Sequence, residues 1–103
     1  MSGSTRRSAL LRIMEIETQL KNLVRDNKYN RIKENLRVLR EKSFFGDVQV
    51  NDPHNFDSMI NLRRNSAESR ECIEVYEKMS LEYEYLIDKL SIEKKQLQVE
   101  LFG

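Results

Sequence analysis

Apolar residues recur along this chain at helical spacing. Ala9, Ile13, Ile16, Leu20 and Leu23 step by four and three residues, and Tyr29, Ile32, Leu36 and Leu39 step by three and four. Such steps keep every member on one face of a helix with about 3.6 residues per turn. The second set is out of phase with the first by two residues. The slip falls in Asp26-Asn27-Lys28-Tyr29-Asn30, a run of poor helix formers, and predicts a kink or short break near 26–30. Toward the C-terminus Cys72, Tyr76, Met79, Tyr83, Leu86 and Leu90 hold heptad spacing, pass Glu93 and resume at Leu97. About four heptads of this kind predict a coiled-coil-like helix. Between them the pattern is weaker. Phe56, Met59, Ile60 and Leu62 form a short apolar patch that reads as a short extra helix at 53–64, and Asn65-Ser66-Ala67-Glu68 offers a helix start with Asn65 as cap.

The helix breakers agree with two long helical segments. Gly3 and Gly103 lie at the termini, while Gly46 and Pro53 lie mid-chain. Leu, Glu, Lys, Arg, Met and Gln dominate both intervening stretches and lose little rotamer freedom in a helix. Gly46 suits the left-handed position past a helix end. Asp52-Pro53 suits an N-cap followed by a first helical residue. Val48-Gln49-Val50 is compatible with a very short strand. The expected fold is an all-α, elongated antiparallel helical hairpin with coiled-coil character. It forms one domain over 1–103, with a helix at about 5–45, a turn at about 46–52 and a helix at about 53–102.

A second stripe lies opposite the main seam of the C-terminal segment. Tyr85, Ile92 and Val99 are each seven apart, joined by Leu81, with Asp88 and Lys95 in the gaps. Scattered surface apolar residues need no explanation. A regular stripe fits a helix touched on two sides, as in an assembly of three or four helices. Helices of about 40 and 50 residues would span roughly 60 and 75 Å, so the second is expected to overhang the first near 92–102. One seam per helix also leaves much of each surface wet, which makes such a hairpin marginal alone.

Composition sharpens this picture. The chain has 103 residues, 34% of them charged, with a net charge of +1. That size allows one small domain. The balanced charge hides an uneven one. Residues 1–43 carry eleven cations and five anions, or +6; residues 44–103 carry seven and twelve, or −5. A turn centred near 48–49 would place the basic segment 28–42 opposite 55–69, and the acidic segment 71–88 opposite the balanced 9–26. In that register the two patches stay open for other chains. Lys33, Arg37 and Arg40 share one helical face and could meet a nucleic acid or an anionic membrane. The chain is not strongly basic overall, its acidic half would repel phosphate, and no aromatic residues suited to base stacking interleave with these cations, so both partners are disfavoured.

Residues that carry chemistry are sparse. Cys72 is the only cysteine and His54 the only histidine, eighteen residues apart. No thiol pair or phosphate-binding glycine loop is present. Asp47, Asp52 and Asp57 lack the glycine and terminal glutamate of a calcium loop. No enzyme activity, metal or cofactor is expected. Arg63-Arg64-Asn65-Ser66 has the form of a basic-directed kinase site. No secretory signal or membrane span is expected, because Ala9-Leu10-Leu11 stops at Arg12. The lone thiol favours an intracellular, reducing, cytoplasmic setting.

The length, the two-helix layout and Phe44-Phe45-Gly46 resemble small secreted hairpins of the WXG type, although that family's tryptophan is absent. The helix–short strand–helix order is similar to that of prefoldin-like subunits through Val48-Gln49-Val50. Neither resemblance carries function or residues over. The expected function is binding: a small coiled-coil structural or adaptor subunit that self-associates or joins a larger helical complex. Tyr76, Met79, Tyr83, Leu86, Leu90 and Leu97 would form its main seam, and Tyr85, Ile92 and Val99 would meet a further helix. One alternative is a nucleic-acid or anionic-membrane binder using Lys33, Arg37 and Arg40. Another is a secretion-associated hairpin acting with a partner.

Overall fold

The computed structural model describes residues 3–41 and 46–103. The described chain is mostly helical, with three helices and one two-stranded sheet. In chain order these are α1 (Gly3–Arg25), α2 (Asn27–Leu39), β1 (Asp47–Asn51), β2 (Met59–Arg63) and α3 (Ala67–Phe102). They fall into two compact units. One comprises Asn27–Glu82; the other comprises Met1–Asp26 with Tyr83–Gly103.

The phase slip near residue 26 is a real break. α1 ends at Arg25, where the Asp26 amide donates to the Leu23 carbonyl at 3.3 Å in a tight turn. Asp and Asn favour such positions because their side chains compete with helical backbone bonding.

In the 27–82 unit, α2 buries Tyr29, Ile32 and Leu36, as its spacing predicts. β1 alternates, with Val48 and Val50 buried and Asp47 and Gln49 exposed. It pairs antiparallel with β2, Val50 opposite Ile60 and Asp47 opposite Arg63. The chain therefore reverses near Asn55, not near 48–49. The 52–58 loop is built by Asp52. Its backbone N–H donates to Ser58 O at 2.8 Å, its carbonyl accepts from Asn55 N at 3.2 Å, and its carboxylate accepts from His54 N at 2.9 Å. That last bond is an Asx turn, a use of Asp that competes with helix capping. Cys72 and Tyr76 from α3 complete this core, with Ile32, Val50 and Tyr76 fully buried.

In the other unit, α1 and the C-terminal part of α3 run antiparallel. Arg12 bonds Glu93 through two nitrogens at 3.0 and 2.9 Å, Lys94 meets Glu17 at 3.3 Å, and the Tyr83 hydroxyl donates to Asp26 at 3.2 Å. Ala9, Ile13 and Ile16 are buried here. α3 answers with the half-buried Tyr83, Ile87, Leu90, Leu97 and Leu101.

Several expectations are corrected. The fold is not purely α, because β1 and β2 form a hairpin. The turn expected at 46–52 holds β1. The short helix expected at 53–64 is a loop followed by β2; Ile60 and Leu62 face inward while Asn61 and Arg63 face out, a period of two. The second helix starts at Ala67, not 53. Its cap is Ser66, not Asn65: Ser66 Oγ accepts the Ser69 amide at 3.1 Å. Asn65 instead takes the left-handed turn position, with φ of 62°. The first helical segment is two helices, and its expected end at 42–45, with Phe44 and Phe45, lies outside the described residues. Gly46 is left-handed at φ 97°, but it leads into β1, whose ladder it extends by accepting from Arg64 N at 3.2 Å. The expected overhang of 92–102 is absent, because Arg12 already sits against Glu93 and α1 continues from there back to Gly3. The shifts between residues 46 and 67 follow from the sheet, which takes residues that the hairpin reading gave to a turn and a helix.

Candidate functional site

Tyr76, expected in the main seam, is fully buried and is the hub of a polar network in the 27–82 unit. Its hydroxyl donates to the Asn51 carbonyl. Asn35 Nδ2 donates to Asn51 Oδ1 at 3.1 Å and to the Tyr76 hydroxyl at 3.3 Å. Asn51 Nδ2 donates to the Phe56 carbonyl at 2.8 Å. The network ties α2, β1, the 52–58 loop and α3 together. The Phe56 ring packs edge-on against Tyr76, with centroids 6.4 Å apart. Burial raises the Tyr76 hydroxyl well above the usual phenol range. Among the described residues no buried side-chain polar atom lacks a hydrogen-bond partner. Buried polar groups that are fully bonded define one packing arrangement over its rivals.

Cys72 lies one turn before Tyr76 and is 4% exposed. Burial, helped by the negative charge of Asp52, pushes its thiol up to about 11. At neutral pH the sulfur is therefore the protonated, weakly nucleophilic form. A shallow crevice of about 230 Å³ beside it is lined in part by His54, Asp52, Glu68 and Glu71. No group of three or more His, Cys, Asp or Glu that could hold a metal occurs among the described residues.

The rest of the expected seam divides. Met79, Tyr83, Leu90 and Leu97 are half-buried. Leu86 is 45% exposed and lies beside a groove with Leu23 and Leu90, whereas Ile87 turns inward. Both Leu86 and Ile87 flank the Tyr83–Leu90–Leu97 line; Leu86 sits at the rim of a groove it shares with Gln19, Asn22 and Leu23 of α1, while Ile87 is half-buried. Sequence spacing accepts either neighbour, so only the tertiary structure separates them.

The expected outer stripe is exposed. Tyr85, Ile92 and Val99 are 65%, 57% and 59% accessible, and Phe102 is 69% accessible. Tyr85, Ile92 and Val99 sit two residues on from Tyr83, Leu90 and Leu97, which is about 200° around the helix. Two shallow grooves run along the stripe and meet at Ile92 and Gln96. One, of about 690 Å³, includes Arg12, Tyr85 and Asp88; the other, of about 640 Å³, includes Lys95 and Val99. Arg12 is held beside them by Glu93 and Glu15. These bonds raise the guanidinium further above its usual range and hold the Glu93 carboxyl below its own.

The basic face is engaged with carboxylates and a ring. Arg37 bonds Glu34 at 2.6 and 3.1 Å and Glu41 at 3.5 Å, which lowers the Glu34 carboxyl. Arg40 reaches Glu77 at 2.6 Å. Lys33 stands over the Tyr29 ring at 4.6 Å. The Arg40–Glu77 pair corrects the expectation that the basic and acidic segments never meet: moving the reversal to Asn55 brings the end of α2 alongside α3.

Sequence reasoning passed over the buried polar residues Asn35, Asn51, Ser69 and Ser80. Asn35 could have been found, since it falls on the apolar face with Ile32 and Leu36. Arg64, read as part of a kinase-like motif, instead donates to the Val38 carbonyl at 2.9 Å and to Glu41 at 3.2 Å. No helix among the described residues is long and apolar enough to cross a membrane. No protein-family model, curated protein or solved structure matches the chain.

Proposed function

We propose that this chain is a non-enzymatic protein–protein interaction module: a small helical hairpin with coiled-coil character that self-associates or joins a larger helical complex. The observation that carries it is the exposed stripe of Tyr85, Ile92 and Val99 on the side of α3 turned away from its own seam. Leaving three large apolar side chains in water at heptad spacing costs solvation free energy that a further helix would recover. The seam against α1 occupies one side of the C-terminal part of α3; the outer face is where a partner would bind.

Engagement of Arg37 and Arg40 by Glu34, Glu41 and Glu77 favours this reading over a phosphate-binding one. A site for nucleic acid or anionic lipid needs its cations free to replace condensed counterions. The buried, protonated Cys72 supports a packing role for that residue. A cytoplasmic setting belongs to the same proposal and rests on the lone thiol.

The test is affinity capture on the immobilised full chain, with wild type compared against Ile92→Asp and Val99→Asp. Wild type should retain protein, its own copies included, and both variants should lose it with unchanged far-UV circular dichroism. Retention should persist from low to physiological salt. Equal retention by the variants, or binding to a fluorescent RNA that collapses with added salt, overturns the proposal.

A further inference from the structure

The outer stripe of α3 has an internal symmetry. Tyr85 lies seven residues before Ile92 and Val99 seven after; Asp88 lies four before and Lys95 three after. Turning the helix end for end therefore lays the stripe on itself. Ile92 keeps its place, Tyr85 exchanges with Val99, and Asp88 and Lys95 each fall within one residue of the other's place. All five residues are exposed. Among the described residues neither Asp88 nor Lys95 enters an ion pair, although Arg12, Glu15, Glu17, Glu93 and Lys94 nearby all do. The two grooves divide about the same centre, one containing Asp88 and the other Lys95.

Building on the interaction reading above, we infer that the partner for this face is a second copy of the same chain, docked antiparallel through α3 about a two-fold axis near Ile92. Closed two-fold pairing needs a self-complementary patch, in which residue i meets j and j meets i. This stripe meets that condition in shape and in charge. Ile92 packs beside its symmetry mate, and Tyr85 of each copy lies near Val99 of the other. Asp88 and Lys95 share one flank of the stripe, with Lys89, Glu93 and Glu100 on the other; the two are of opposite sign, and the axis brings each within about one helical turn of its complement. Asp88 of one copy thus faces Lys95 of the other in the groove that Asp88 lines. A parallel in-register pair would instead set Asp88 against Asp88 and Lys95 against Lys95, where like charges at an apolar seam repel. The charges therefore select direction while the apolar residues supply the attraction, as polar positions do in coiled coils.

Analytical ultracentrifugation and oxidative cross-linking of the full chain test this. Wild type should sediment as a dimer at tens of micromolar. Asp88→Lys and Lys95→Asp should each raise the dimer Kd by about tenfold or more. Mixing the two variants, or combining both changes in one chain, should restore dimerisation. Ile92→Cys should form a disulfide dimer. Tyr85→Cys should cross-link to Val99→Cys and not to itself, with the wild-type chain and its buried Cys72 as the control in the same reaction. A monomeric wild type overturns the self-pairing whatever the capture experiment above gives, so the two proposals fail separately. A dimer indifferent to both charge changes overturns the seam, and Tyr85→Cys cross-linking to itself overturns the antiparallel direction. Far-UV circular dichroism of each variant separates loss of pairing from loss of fold.

Discussion

Tyr76→Phe is the sharpest test of how the 27–82 unit is held together. The substitution keeps the ring, its burial and its edge contact with Phe56, and removes one oxygen. That oxygen donates to the Asn51 carbonyl and accepts from Asn35 Nδ2 at 3.3 Å. Without it the Asn51 carbonyl loses a donor inside the core, while the Asn35 amide keeps its bond to Asn51 Oδ1 at 3.1 Å. A hydrogen bond in a folded protein is worth about 1 kcal/mol net, and a buried group left unsatisfied costs about 1–3 kcal/mol. The expected loss is therefore about 1–3 kcal/mol. With a urea m-value of about 1–3 kcal/mol per molar, this moves the unfolding midpoint down by about 1 M. Equilibrium unfolding by circular dichroism measures that shift. Native-state hydrogen exchange assigns it to the 27–82 unit if the two units unfold separately. Asn35→Ala should couple to it, with a non-additive part of about 0.5–3 kcal/mol in the double-mutant cycle. An unchanged midpoint, or strictly additive effects, would refute the network as an energetic unit.

Three further outcomes follow from the packing. Ile32→Ala and Ile16→Ala, both at fully buried positions, should each cost about 2–5 kcal/mol by urea unfolding; Tyr83→Ala and Leu90→Ala, at half-buried positions, should cost less but still lower the melting temperature. Ser66→Ala removes the N-cap of α3 and should cost about 0.5–2 kcal/mol in the same assay, with Ser66→Asp largely retaining stability. Cys72 should resist a thiol reagent in the native state at pH 8. Because its folded pKa is raised from 9.0 to about 11, its contribution is fully present below pH 9 and is lost as pH rises to about 11. That loss amounts to roughly 2–3 kcal/mol in order of magnitude, and Cys72→Ala should flatten this part of a stability-versus-pH curve.

The amino-acid pattern alone determined which faces of the helices are apolar. Ala9, Ile13, Ile16, Tyr29, Ile32, Leu36, Cys72 and Tyr76 are buried at the positions their spacing marks, because a helix repeats its faces at a fixed angle whatever it packs against. The break near residue 26 and the exposed Tyr85–Ile92–Val99 stripe were legible for the same reason. Tertiary structure decided what local pattern leaves open. Ile60 and Leu62 suit a helix or a strand, and became a strand because Val48 and Val50 lie opposite to complete the ladder. That pairing moved the reversal from residue 48 to Asn55. The end of α2 thereby came to Glu77, α1 removed the expected overhang, and Ile87 turned inward in place of Leu86. The Asn35–Asn51–Tyr76 network belongs to the same class. Its members are sixteen and forty-one residues apart in pairs, and a hydrogen bond between distant side chains leaves no periodic trace in the sequence.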